Sequence, residues 1–335
     1  MKEQIKKFCD TYQLGSVEAE PCAISGGLLH KMYRVETSQG VYAIKVLNPE
    51  IMQRPDALQN MINSEQVSHA LAEVVPMVAA KEFDGKHVVE FEDTWFMVFD
   101  WLSGASVFAP EITKGHCAKI GRVLGKIHAV NVKIAGMEAK AEVRNVFAWE
   151  ELLESWCRLN GGKEVSSEGL EALKSFLPEL LVLDKETVTA LQQISSFQVI
   201  SHRDLDPKNV MWQGEQPYLI DWEAAGCVNP YQELVEVLNY WITDGEGAYD
   251  YEKFTALINE YAKSIDVKSA DWNTVLKAGF DGMLGWLEYN VRRAAGLCGS
   301  GAEERQLGTQ QVLGSIAELK RQKVQMEQLK NWLSE

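Results

Sequence analysis

Through the first hundred positions, apolar and polar residues alternate in short runs. After Gly104, apolar residues recur three and four apart. Alternation puts successive side chains on opposite faces of a strand, whereas the longer spacing lines one face of a helix. Val41-Tyr42-Ala43-Ile44-Lys45-Val46-Leu47 predicts a strand with Val41, Ala43, Lys45 and Leu47 on one face. Met32 to Thr37 predicts the strand before it and Ser38-Gln39-Gly40 the turn, so the two read as a hairpin. Trp95 to Phe99 predicts a further strand. Pro55 to Ala72 predicts a helix, with Pro55 suited to its first turn. Later on, Cys117, Ile120, Leu124 and Ile127 mark a helix, and others are predicted near 145–160, 179–194, 231–243, 251–263, 271–297 and 303–333. A β-rich island from Val199 to Ile220 interrupts them. The layout predicts an α+β, bilobal chain: a small β-rich lobe over 1–100 with one main helix, a hinge at 99–104, and a larger, mostly helical lobe over 101–335. A cleft between two lobes is a common place for a ligand.

The charge balance narrows the partners. The 335 residues include 33 Lys+Arg and 48 Asp+Glu, a formal net charge of −15. No basic footprint is available for nucleic acid or an anionic membrane, so neither is expected as a partner. The six cysteines, at 9, 22, 117, 157, 227 and 298, form no Cys-x-x-Cys pair and read as reduced thiols. Met1 to Asp10 carries charges where a signal peptide needs an apolar core, and no run approaches the ~18 apolar residues of a membrane span. A cytoplasmic protein with no obligate protein partner is expected.

Candidate chemistry is concentrated in the β-rich island. Val199-Ile200-Ser201-His202-Arg203-Asp204-Leu205-Asp206-Pro207-Lys208-Asn209 contains His-x-Asp-x-x-x-x-Asn, and Tyr218-Leu219-Ile220-Asp221 is an apolar run ending in Asp. Asp, Asn and Pro also populate ordinary turns, but this order and spacing match a kinase catalytic loop followed by a metal-binding Asp. Phosphoryl transfer to a hydroxyl needs a carboxylate beside the acceptor and hard oxygen ligands for Mg²⁺ on the nucleotide phosphates. Asp204 is therefore the expected base, Asn209 and Asp221 the expected Mg²⁺ ligands, and His202 a brace for the loop.

With these motifs the chain resembles the aminoglycoside phosphotransferase and choline kinase family, small-molecule relatives of the protein kinases. The resemblance covers most of the chain and implies the protein-kinase-like fold, ATP as donor (GTP the alternative) and Mg²⁺. Ile24-Ser25-Gly26-Gly27-Leu28-Leu29-His30-Lys31-Met32-Tyr33-Arg34-Val35 resembles the family's phosphate loop, with Gly26 and Gly27 approaching the nucleotide. The resemblance implies that Lys45 contacts the phosphates and that Glu65 on the following helix is its partner. It further implies that adenine bonds main chain at the hinge, through the Asp100 carbonyl and the Leu102 amide.

A protein substrate is disfavoured, because only eight residues separate Asp221 from Pro230 and no activation segment fits there. A silent nucleotide-binding pseudokinase is disfavoured by the intact Lys45, Asp204, Asn209 and Asp221. The acceptor is expected to be a small, amine-bearing hydroxyl compound met by Asp206, Glu223, Glu236 and Trp286. A neutral alcohol or sugar is the alternative. Carboxylates and aromatic faces together suit an ammonium group.

Overall fold

The computed structural model describes residues 1–24, 30–138, 143–159, 168–298 and 301–335. In chain order the elements are α1 (Lys2–Thr11), β1 (Cys22–Ile24), β2 (Lys31–Thr37), β3 (Gly40–Val46), α2 (Pro49–Met52), α3 (Ala57–Leu71), β4 (Val89–Phe91) and β5 (Thr94–Asp100). There follow α4 (Lys114–Val130), α5 (Trp149–Leu159), α6 (Glu168–Ile194), β6 (Val199–Ser201), β7 (Val210–Gln213), β8 (Gln216–Leu219) and β9 (Gly226–Val228). The chain ends with α7 (Pro230–Trp241), α8 (Tyr251–Tyr261), α9 (Trp272–Ala278), α10 (Asp281–Ala294) and α11 (Ala302–Leu333). The architecture mixes helix and sheet, as the hydrophobic pattern predicts. Two compact units are present: Met1–Ala139 with Val199–Val228 and Val237–Ile265, and Lys140–Gln198 with Asn229–Glu236 and Asp266–Glu335.

The first unit is built on an antiparallel sheet of order β1-β2-β3-β5-β4. The predicted hairpin is present, with Met32 opposite Lys45 and Thr37 opposite Gly40. Strand alternation divides the sheet's side chains between two cores. Val35, Ile44, Phe96 and Val98 pack with Ile5, Phe8 and Cys9 of α1 on one side. Leu47 and Met97 pack with Met61 of α3, Ala80 and Val88 on the other. Lys45, opposite Met97 in the register, belongs to this second face by the same alternation.

Helices α4 and α8 also pack within the first unit, and their approach requires a glycine. A Cβ on Gly121 would lie 2.1 Å from the Leu257 carbonyl oxygen. The second unit is helical, with α6 packed against α5, α9 and α11, and α10 against α11.

Three helix boundaries differ from the sequence pattern. α3 begins at Ala57 with Asp56 at its N-cap, so Pro55 lies in the turn that joins α2 to α3. α6 starts at Glu168 and continues through Pro178. Proline reads as a start signal, but burial of Phe176 and Leu180 on either side carries the helix past the lost backbone bond. The predicted helix at 271–297 is broken at Gly279 and Phe280, between α9 and α10.

Glu65 also differs from expectation. It is buried on α3, and its Oε2 accepts from the Ala80 backbone N–H (3.0 Å) and from Ser68 Oγ (3.1 Å). It is therefore spent on tying α3 to the segment before β4, while Lys45 takes other partners. Burial pushes the Glu65 carboxyl above its ordinary range, and the Ala80 and Ser68 bonds offset this only in part.

Two stability predictions follow from this packing. Gly121→Ala should destabilise the first unit by roughly 2 kcal/mol or more, because backbone has to move to admit the methyl group. Urea unfolding measures this, and an unchanged midpoint would show that α4 and α8 are free to part. Glu65→Gln keeps an acceptor for Ala80 and Ser68 without the buried charge. A raised native pKa makes the folded wild type bind more protons than the unfolded chain, so its stability falls as pH rises through that window. The variant should therefore match wild type below about pH 4.3, the unperturbed value, and exceed it at pH 8. Parallel melts at both pH values check this.

Candidate active site

The catalytic-loop motif begins where β6 ends. β6 is a fully buried strand paired with β9, and it delivers His202 into the interior. His202 Nε2 lies 3.0 Å from the Ile220 carbonyl oxygen, and its ring lies 4.6 Å from Trp222. These contacts give His202 the geometry of a brace. Arg203 next to it adopts a left-handed backbone at φ +63°. A Cβ on Gly226 would come within 2.9 Å of Arg203 Nη1, the movable end of that side chain. The loop is also held from behind, since Trp241 Nε1 donates to the Leu205 carbonyl at 2.8 Å.

Asp206 caps the short 3-10 turn Pro207–Asn209, accepting from Lys208 N at 2.8 Å. The turn swings Asn209 back toward Asp204. Asn209 Nδ2 donates to the Asp204 backbone oxygen (2.8 Å) and to Asp204 Oδ2 (2.9 Å). With its amide nitrogen engaged, the remaining polar atom of the Asn209 side chain is its amide oxygen. Lys208 Nζ reaches the same carboxylate, 3.3 Å from Asp204 Oδ2.

A hairpin brings the second half of the motif to the first. β7 and β8 pair with Val210 opposite Leu219, which sets Asn209 beside Ile220. The Ile220 N–H donates to the Asn209 carbonyl at 3.0 Å, and Asp221 follows directly. Asp221 has a left-handed backbone, φ +61°, and opens the 3-10 turn Trp222–Ala224, which packs on α3.

Lys45 closes the arrangement from the sheet. It is buried, and its Nζ donates to Asp221 Oδ1 at 2.9 Å and to Glu223 Oε1. Burial alone would lower the Lys45 ammonium, but Asp221 and Glu223 outweigh it and hold its pKa above the ordinary value. Burial likewise pushes Glu223 up, but His30 and Lys45 reverse the balance and leave this carboxyl well below its usual range. His30 Nε2 is 3.5 Å from Glu223 Oε1, and His30 Nδ1 accepts from the Asn48 N–H at 2.9 Å.

The structure thus assembles Lys45, His202, Asp204, Asp206, Asn209, Asp221 and Glu223 within the first unit. Glu223, expected on the acceptor side, is engaged by Lys45, which its position two residues beyond Asp221 permits. Asp100 ends β5 with its carboxylate bonded to Lys81 Nζ at 2.9 Å, and Leu102 follows outside any strand. Gly26 and Gly27 lie outside the described residues. Glu236, on α7, and Trp286, 46% exposed on α10 with its ring 5.8 Å from Tyr289, belong to the second unit. Sequence reasoning missed His30 and Lys208. The hairpin register puts His30 one residue before Lys31, the partner of Val46, but does not give its contact with Glu223. Lys208 was findable as the basic residue four positions beyond Asp204.

The donor set suits Mg²⁺. An amide oxygen at Asn209 and a carboxylate at Asp221 are hard ligands, and Mg²⁺ typically takes one or two protein oxygens plus substrate phosphates. Among the described residues no group of three or more His, Cys, Asp or Glu is placed to hold a metal unaided, and such a shared site needs none.

Known proteins resemble this chain in sequence and in fold. Residues 21–264 match the model of the phosphotransferase enzyme family. A homoserine kinase of Parvibaculum lavamentivorans is 24% identical over 274 residues, covering 80% of this chain and 78% of that protein. The crystal structure of a spectinomycin phosphotransferase with ADP and spectinomycin superposes with a TM-score of 0.62 at 14% identity, covering 96% of this chain and 94% of the other. A microcompartment-associated aminopropanol kinase gives a TM-score of 0.62 at 17% identity, covering 96% and 98%. The chain belongs to the phosphotransferase enzyme family and is a small-molecule kinase.

Proposed function

We propose that the chain transfers the γ-phosphoryl group of ATP to a hydroxyl of a small, amine-bearing molecule. The observation that carries the chemistry is the convergence of Asp204, Asn209, Asp221 and Lys45 through one hairpin and one sheet strand. Asp204 orients the acceptor hydroxyl and takes its proton, with Asn209 Nδ2 fixing the carboxylate. The Asn209 amide oxygen and Asp221 are the protein ligands for Mg²⁺. Bound there, the ion supplies charge neutralisation on the nucleotide phosphates. Lys45 carries a positive charge onto the phosphates, and the Asp100–Leu102 main chain receives the adenine. Such catalysis is mostly positioning and electrostatics.

The amine is supported by the relatives. Homoserine and aminopropanol, named for one relative and one structural neighbour, each carry a hydroxyl and an amine. A net charge of −15 favours approach of a cation. Asp206, two residues from the proposed base, is the acceptor-side carboxylate in this proposal. Glu223 is assigned to the nucleotide side by its contact with Lys45.

An ATP-consumption screen with Mg²⁺ tests the proposal, using homoserine, aminopropanol, ethanolamine, choline, aminoglycosides and neutral sugars. An amine-bearing compound should be the best acceptor, and N-acetylation should cut its kcat/KM at least tenfold, about one charged hydrogen bond. A best acceptor without an amine would remove the amine from the proposal and leave the kinase in place. Asp204→Asn should lower kcat by ~10²–10⁴-fold, the usual contribution of a general base, with nucleotide affinity nearly unchanged. Wild-type turnover in that variant would mean that Asp204 is not the base.

A further inference from the structure

His30 is buried beside Glu223. The residue is 4% exposed, and its Nε2 has no hydrogen-bond partner among the described residues. Its tautomer is set from the other side. Because Nδ1 accepts from the Asn48 N–H at 2.9 Å, the neutral ring carries its proton on Nε2. Glu223 Oε1 lies 3.5 Å from that nitrogen, beyond the 2.7–3.2 Å of a good bond. Glu223 is meanwhile held by Lys45.

Taking Lys45 as the phosphate contact, we propose that His30 is a positioning residue that receives Glu223 when nucleotide draws Lys45 away. Two carboxylates, Asp221 and Glu223, share one ammonium in the structure described here. When Lys45 turns to the phosphates and Asp221 to Mg²⁺, Glu223 loses its cation. Its side chain is only 22% exposed, so solvent cannot replace that partner fully. A buried carboxylate left without a donor is costly. The His30 tautomer already places a proton on Nε2, and a carboxylate shift of about 0.5 Å brings Glu223 to bonding distance. Asn48 caps α2 through its own side chain, which accepts from Glu50 N at 3.0 Å, so the far side of the imidazole is anchored during the exchange. His30 thereby lowers the cost of releasing Lys45 and favours nucleotide binding without touching the nucleotide.

The test is calorimetric titration with Mg²⁺ and the non-hydrolysable analogue AMP-PNP. His30→Leu should weaken binding about tenfold, the scale of one hydrogen bond to a charged group, and His30→Gln, which keeps a donor and an acceptor, should recover most of it. The same His30→Leu change in a Glu223→Gln background should have little effect, because no buried charge then needs receiving. An equal loss in both backgrounds would show that His30 only supports the fold, and would overturn the proposal. Lys45→Ala separates the two levels of argument. If it weakens AMP-PNP binding and His30→Leu does not, the exchange is wrong and the nucleotide site stands. If it leaves binding unchanged, the nucleotide-site assignment fails and the exchange fails with it. Should His30→Leu not fold, the wild-type protein still decides: the His30 Nε2–H proton resonance should move downfield when AMP-PNP saturates the site, and a stationary resonance overturns the proposal.

Discussion

A charged lysine buried in a β-sheet is the constraint around which the first unit is arranged. Lys45 lies next to the end of β3, on the face that also carries Leu47 and opposite Met97. An unpaired ammonium there would be driven out or neutralised. Two carboxylates from a distant stretch of sequence meet it instead, one of them across 176 residues. The sheet and the β7–β8 hairpin are thereby held together by charge as well as packing. Neither partner keeps an ordinary proton affinity: the lysine holds its proton more tightly and Glu223 more weakly.

The hairpin supplies the second constraint. Its register fixes Asn209 beside Ile220, and one residue further along comes Asp221. The distance between the two expected metal ligands is thus set by strand pairing, which is stiff, and not by a loop. Asn209 serves both directions, donating to Asp204 and leaving its amide oxygen for the opposite side. Base and metal ligands are in this way parts of one hydrogen-bonded unit, and a change at one is felt by the others.

Much of this was legible in the chain because it is local. The β2–β3 hairpin follows from alternation and a Ser-Gln-Gly turn, and the spacing of His202, Asp204, Asn209 and Asp221 is a property of a short segment. The partner of Lys45 was not legible. The choice between Glu65 and Glu223 depends on which carboxylate meets a backbone N–H first, and Ala80 takes Glu65. The break at Gly279 and the continuation of α6 through Pro178 were missed for a related reason. Glycine and proline give local preferences of a few kcal/mol at most, and burial of neighbours such as Phe176 and Leu180 can override them. His30 escaped notice because its importance lies in a tautomer set by Asn48, which only the three-dimensional arrangement reveals.

The backbone at Arg203 and Asp221 has a bearing on how this protein can be altered. Both residues hold positive φ angles that side chains seldom adopt, and each costs of the order of 1 kcal/mol or more. A campaign that scores variants by thermostability alone would be led to glycine or asparagine at these two positions, since those residues relax the backbone. At Asp221 the relaxed backbone would come with the loss of one of the two carboxylates that answer Lys45, leaving Glu223 alone against the ammonium group. Positions where conformational comfort and charge pull in opposite directions are where stability screens and activity screens diverge, and in this chain they lie on either side of one hairpin.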